Sequence, residues 1–183
     1  MTAHRTLRSA AVATVIAALA LTACSTDKTD AQRASETLNK GIAAQERGDL
    51  ANAITLYNDT LRIDSRNKFA YYNLGLIAQN AKDYRTAATD YDLSLSVDPF
   101  YTPALYNLAI VETAVEDKDA AIDLYKRAVA ADSKYANAYL NLGLLECETG
   151  AVDDGKANLR KAIAIDPKLA KRVVGSGPCA SGL

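Results

Sequence analysis

Hydrophobic and polar positions divide the chain into three stretches. Residues 10–21, AAVATVIAALAL, form an almost unbroken apolar run, and residues 25–33, STDKTDAQR, are polar and small. From residue 34 onward, apolar positions recur at helical spacing in short blocks separated by polar turns. The blocks themselves repeat. YYNLGLIAQNAKDY, LYNLAIVETAVEDK and YLNLGLLECETGAV start at Tyr71, Leu105 and Tyr139, each 34 residues after the last, and a fainter copy, TLNKGIAAQERGDL, starts at Thr37. The period defines four units, 34–67, 68–101, 102–135 and 136–169, with no insertion between them. Each unit predicts two helices, as over 68–81 and 85–97, joined by a polar turn: ERGD, AKDY, VEDK or ETGA. The second helix is expected to close at Asp64, Asp98, Asp132 or Asp166. Pro99 and Pro167 follow directly, and a proline ring there cannot continue a helix. Ser65 and Ser133 take that place in the other two units.

Small residues recur at fixed positions: Gly41, Gly75, Ala109 and Gly143 in the first helices, Ala53, Ala87, Ala121 and Gly155 in the second. Glycine inside a helix costs about 1 kcal/mol relative to alanine, so its repetition points to close helix packing. Period, hairpin layout and the NLG…A…Y…P pattern resemble the tetratricopeptide repeat over residues 34–169. Unit one departs from the pattern at Thr37 and Lys40, as suits a solvent-facing N-terminal cap, and unit four departs at Gly155 and Ala151. The resemblance implies an all-α, right-handed superhelical solenoid of four helix-turn-helix hairpins. It also implies a concave groove lined by the first helices, and a role in binding other proteins.

The apolar run near the N-terminus is preceded by Arg5 and Arg8, and no acidic residue occurs before Asp27. This is the layout of an export signal, and the run is shorter than the roughly 20 apolar residues of a membrane-spanning helix. It ends in Leu21-Thr22-Ala23-Cys24, which resembles the lipobox of bacterial lipoproteins. That resemblance implies cleavage of residues 1–23 and lipidation of Cys24; the competing reading is a plain secretory signal. Cleavage deletes two arginines and no acids, taking the net charge from −1 to −3. Residues 24–33 are then the lipidated cysteine and a tether, unless Thr29 or Asp30 already starts the first helix.

Composition narrows the function further. A net charge of −1 lacks the basic footprint of a nucleic-acid binder. The one histidine, His4, lies in the expected signal, so no Ser-His-Asp or Cys-His set is available. No glycine-rich phosphate loop is present. Asp153-Asp154, the tightest acidic pair, reads as a solvated helix start. The expectation is no enzyme, no cofactor and no metal. With Cys24 lipidated, Cys147 and Cys179 are left; in an exported protein they form a disulfide or stay apart, Cys147 partly buried and Cys179 in the tail.

At 100° per residue, the second, fifth, sixth, ninth, twelfth and thirteenth residues of each unit face away from the core stripe and toward the groove. Two apolar rows result: Leu38, Tyr72, Tyr106, Leu140, and Ile42, Leu76, Ile110, Leu144. Packing between neighbouring first helices accounts for most of the Ile and Leu atoms, and less well for Tyr72 and Tyr106. Phe69 and Cys147 lie on the same face. Asn39, Asn73, Asn107 and Asn141 recur once per unit. An asparagine amide both donates and accepts, so the row reads either as a ladder for a peptide backbone, a use the family resemblance implies, or as a structural feature of the repeat. None of these groove positions is basic, which argues against a clamp for a C-terminal carboxylate.

The resulting expectation is a membrane-anchored adaptor of the cell envelope, with another envelope protein as partner. Similarity to lipoproteins of this family suggests envelope assembly, pilus biogenesis or recruitment of cell-wall enzymes. The alternative is a structural or oligomerisation module that associates through the solenoid end. Residues 170–183 offer one or two helical turns and a glycine-rich tail. They are expected to leave apolar area on the last hairpin, to be covered by a partner or a second copy, the favoured reading, or by the tail pinned through a Cys147–Cys179 disulfide.

Overall fold

A computed structural model describes residues 28–173 and Cys179. Among them it contains nine α-helices and no strand: α1 Asp30–Glu46, α2 Leu50–Ile63, α3 Lys68–Asn80, α4 Tyr84–Val97, α5 Thr102–Ala114, α6 Lys118–Ala131, α7 Ala136–Glu148, α8 Val152–Ile165 and α9 Ala170–Val173. A 3₁₀ turn, Pro167–Leu169, precedes α9. The helices pair as antiparallel hairpins, α1 with α2 through α7 with α8, stacked into a solenoid. Cys24 and the expected signal, residues 1–23, lie outside the described residues.

Local chemistry sets the helix starts. Asp49, Asn67, Asp83 and Asp117 accept a backbone N–H in the first turn of α2, α3, α4 and α6. Such a cap contributes about 1 kcal/mol. Thr29 and Gln32 form a reciprocal capping box, so α1 begins at Asp30, four residues before the unit boundary at 34. Of the polar stretch 25–33, the residues from Asp30 are helical, the second of the two readings the sequence allows. Ala151, where the other units have aspartate, gives α8 no side-chain cap, and Asp153 and Asp154 place negative charge in its first turn instead. Each hairpin turn needs one left-handed residue, at Gly48, Lys82, Glu116 and Gly150 with φ of 79°, 61°, 66° and 95°. Only the two glycines adopt it without a Cβ penalty.

The recurrent small residues have a packing cause. A Cβ on Gly41 would lie 2.6 Å from the Tyr57 ring, and one on Gly75 would lie 2.7 Å from the Tyr91 ring. Both rings are fully buried, and their hydroxyls donate to Gln45 and Gln79. The core is also wider than one helical stripe. Ala70, Ile77, Ala104, Val111, Ala138 and Leu145 are buried as well, because each first helix touches the neighbouring hairpins besides its own second helix.

Unit four is built differently. Tyr72, Tyr91 and Tyr101 of unit two recur as Tyr106, Tyr125 and Tyr135, then become Leu140, Leu159 and Leu169, which are 0%, 0% and 7% exposed. Leu169 and Val173 pack with Leu140 and Leu159 in one buried cluster, and Cys179 is bonded to Cys147 with Cα atoms 5.9 Å apart. Of the covers expected from the sequence, the pinned tail is the one present, and the preference for a partner or a second copy is corrected. The 3₁₀ turn, α9 and the disulfide cover the last hairpin. All three core clusters draw on residues between 34 and 179.

One position breaks the pattern. Asp90 on α4 stands where the other units have Leu56, Leu124 and Asn158. Burial, and then the charge of Asp83, push its carboxyl up from 3.8 to about 6. The folded state therefore holds the proton more tightly, and stability falls as pH rises from 3.8 to about 6. Asp90→Leu is expected to add about 1 kcal/mol at neutral pH and to flatten that slope. Urea unfolding at pH 4.5 and pH 7.5 checks both.

Candidate functional site

The groove is built mainly by α5 and α7. A cavity of about 510 Å³ runs between them, with Ile110, Leu144 and Leu145 as its apolar lining and Tyr106, Thr113, Tyr125 and Asn141 as its polar lining. Glu148 and Arg172 complete it. Arg172 comes from α9, where its Nη1 donates to Asn137 Oδ1 at 3.3 Å. The groove positions named from the four units are indeed not basic, but the groove as a whole includes a basic residue. The cap contributes one, and a count restricted to the four units missed it.

The tyrosines order this surface. Tyr72 stacks edge-on against Tyr101 at 5.4 Å, and Tyr106 against Tyr135 at 5.0 Å, one repeat further on. Tyr91 and Tyr125 lie 5.9 Å from Tyr72 and Tyr106. Burial raises the phenol pKa throughout, to about 12 for Tyr101 and Tyr135. Their hydroxyls are neutral at physiological pH and can donate as well as accept.

The asparagine row divides in two. Asn107 Nδ2 donates to Tyr72 Oη at 3.0 Å, and Asn141 Nδ2 donates to Tyr106 Oη at 3.2 Å and Tyr125 Oη at 3.3 Å. These bonds join neighbouring units, so in units three and four the amide nitrogens have a structural role. Asn73 would meet Leu38 at the equivalent place, and its Nδ2 instead donates to Phe69 O at 2.8 Å. Asn39 is exposed on α1. Asn107→Ala is expected to cost about 1 kcal/mol, because it leaves the Tyr72 hydroxyl without its donor, whereas Asn39→Ala should be neutral. Thermal unfolding of the two variants separates them.

Other assignments to the groove divide by exposure. Phe69 is 45% exposed, and Tyr72, Leu76, Tyr106, Ile110 and Leu144 are half-buried. Leu38 and Leu140 are buried and cannot meet a ligand. Leu140 lies under the C-terminal cap, which a count of helical angles cannot foresee. Cys147 is 1% exposed and points at α8 rather than into the groove. Among the described residues, no cluster of three or more His, Cys, Asp or Glu could hold a metal ion.

A family model for the tetratricopeptide repeat matches residues 38–102 and 106–170. No curated protein matches the chain. Among solved structures, MamA from Desulfovibrio magneticus RS-1 is 25% identical with a TM-score of 0.69, covering 79% of this chain and 81% of its own. YrrB, described as a TPR protein with an unusual peptide-binding site, is 21% identical with a TM-score of 0.68, covering 77% and 73%. The first TPR of RPAP3, bound to the HSP90 peptide SRMEEVD, is 20% identical with a TM-score of 0.61, covering 64% and 94%.

Proposed function

We propose that the chain, which belongs to the tetratricopeptide repeat family, is a lipid-anchored adaptor of the bacterial cell envelope that holds a segment of another protein in its groove. The observation that carries this reading is the cavity along α5 and α7, where an apolar lining of Ile110 and Leu144 sits beside tyrosine hydroxyls and the Asn141 amide. Such a surface suits an extended, moderately apolar peptide or one face of a helix. Apolar side chains enter the cavity, and the peptide N–H groups find asparagine and tyrosine oxygens. Peptide recognition by YrrB and by the RPAP3 domain supports a groove of this kind in the fold. The anchor rests on the sequence. The apolar run closing on Leu21-Thr22-Ala23-Cys24 directs lipid to Cys24, and a diacylglycerol supplies the two chains that stable attachment requires. Ser25 after the cysteine favours the outer membrane in a two-membrane bacterium, and in a one-membrane organism the protein stays on the outer leaflet.

Two measurements test the two halves. Metabolic labelling with a fatty acid is expected to mark the wild type and not Cys24→Ser; an unlabelled wild type ends the anchor reading. A photo-cross-linker at Thr113, in the groove, should capture a partner in native membranes, and one at Asp123, exposed on α6, should not. Capture of the same protein from both positions, or from neither, ends the groove reading.

A further inference from the structure

We infer that the solenoid edge carrying the inter-unit loops rests on an anionic phospholipid surface, with Arg66, Lys134 and Lys168 on headgroup phosphates and the Phe100 ring in the interface. This rests on the anchored reading above and adds an orientation and a second membrane contact to it.

The four loops between second and first helices share one construction. The carboxylate of Asp64, Asp98, Asp132 or Asp166 accepts the backbone N–H two residues on, at 3.1, 3.1, 2.9 and 3.0 Å. These bonds tie each acid to its own loop and leave the residue two places on exposed. That residue is Arg66, Phe100, Lys134 or Lys168, one per 34-residue period. Three cations and one aromatic therefore line up along one edge. Phe100 is 75% exposed, more than any other large apolar side chain among the described residues. In water that exposure is unfavourable, but an aromatic ring is well placed at a membrane interface beside cationic side chains.

The two edges differ in charge. Residues 64–71, 98–105, 132–139 and 166–173 hold six Lys or Arg against four Asp, all four loop-tied; of the six, Arg172 turns into the groove and Lys68 pairs with Asp98, which leaves Arg66, Lys134, Lys168 and Lys171. The hairpin turns at the other edge, 46–53, 80–87, 114–121 and 148–155, hold four basic residues against nine acidic. An anionic surface attracts the first edge and repels the second.

The segment that leads back to Cys24 joins the fold at the attracted edge. First helices start where second helices end, so Thr29 and α1 begin on the side of the inter-unit loops. Cys24 is four residues before Lys28, a reach of at most about 14 Å. A lipid at Cys24 holds this edge near the bilayer, while the acidic turns stand about a helix length, roughly 20 Å, further out.

The test uses the chain from Cys24 onward, which contains all three core clusters. The Cys147–Cys179 disulfide leaves Cys24 as the free thiol, and coupling it to a maleimide-bearing phospholipid attaches the protein whether or not cells lipidate it. The protein has no tryptophan, so Phe100→Trp and, at the acidic edge, Val115→Trp each introduce a single reporter. On vesicles of phosphatidylglycerol with brominated phosphatidylcholine, Phe100→Trp fluorescence should be quenched and Val115→Trp fluorescence should not. On brominated phosphatidylcholine alone, the quenching should largely disappear. Adding Arg66→Glu, Lys134→Glu and Lys168→Glu should lower the apposed population about a hundredfold, at about fivefold per cation removed, with the fold checked by circular dichroism. Equal quenching at both edges, no quenching at Phe100→Trp, or quenching indifferent to phosphatidylglycerol overturns the inference. Failure of fatty-acid labelling in cells overturns only the lipid anchor.

Discussion

Gly155→Ala is expected to destabilise the fold by about 3 kcal/mol, the upper part of the range for overpacking a tight core. The equivalent residue is alanine in the other three units and is fully buried in each, so substitution by alanine looks conservative from the sequence. In unit four the added Cβ would meet Cys147 Sγ at 2.5 Å, Gly143 O at 2.8 Å and Cys147 N at 3.0 Å. Where unit two sets Gln79 against Tyr91, unit four sets Cys147 against Leu159, and Gly155 makes room for the sulfur. That sulfur holds Cys179, and with it the cap. Removing the disulfide alone, by Cys147→Ser with Cys179→Ser, should cost about 2–4 kcal/mol. Because Gly155→Ala also crowds backbone atoms, a reductant should shrink its penalty without abolishing it. Thermal melts of wild type and variant, oxidised and reduced, decide the matter. Equal stability of wild type and Gly155→Ala under oxidising conditions would sink this account of the cap.

The same unit shows where sequence reasoning reaches its limit. The 34-residue period, the paired helices, the closing aspartates and the close-packed glycines all come from local pattern, and the structure contains them. The groove is less legible, because a helical position says which way a residue points and not what lies over it. Leu140 and Tyr106 occupy the same place in their units, yet one is beneath the cap and the other lines the cavity. A signal was available in the joint change from Tyr106, Tyr125 and Tyr135 to Leu140, Leu159 and Leu169, which marks a surface losing its water. Arg172 escaped notice for a related reason. It belongs to a helix of four residues that no repeat pattern predicts, and that short helix places a cation in the groove. The asparagines at 107 and 141 were legible as a row but not as donors to the preceding unit's tyrosines, a bond that spans 35 and 35 residues.

Ile110→Asp combined with Leu144→Asp is expected to weaken binding of the partner captured at Thr113 by at least a hundredfold. Truncating one well-packed anchor at a protein interface commonly costs 2 kcal/mol or more, and here two adjacent anchors are made repulsive to an apolar ligand. Both residues are half-buried on the groove face of α5 and α7 and line the cavity. They are themselves partly buried residues at the rim, packed against the core from its groove side, so the fold should persist with a loss of about 1 kcal/mol per site, short of a fully buried substitution. A matched control on the convex side, Leu93→Asp, changes an exposed side chain to the same residue and should leave binding unchanged. Titration calorimetry with the purified partner, alongside circular dichroism, reads affinity and folding separately. The groove assignment stands on the contrast between the two sides. If Leu93→Asp weakens binding as much as the groove pair does, the partner docks on the second helices. If neither does, it docks at an edge, where the loops and hairpin turns are the remaining surfaces.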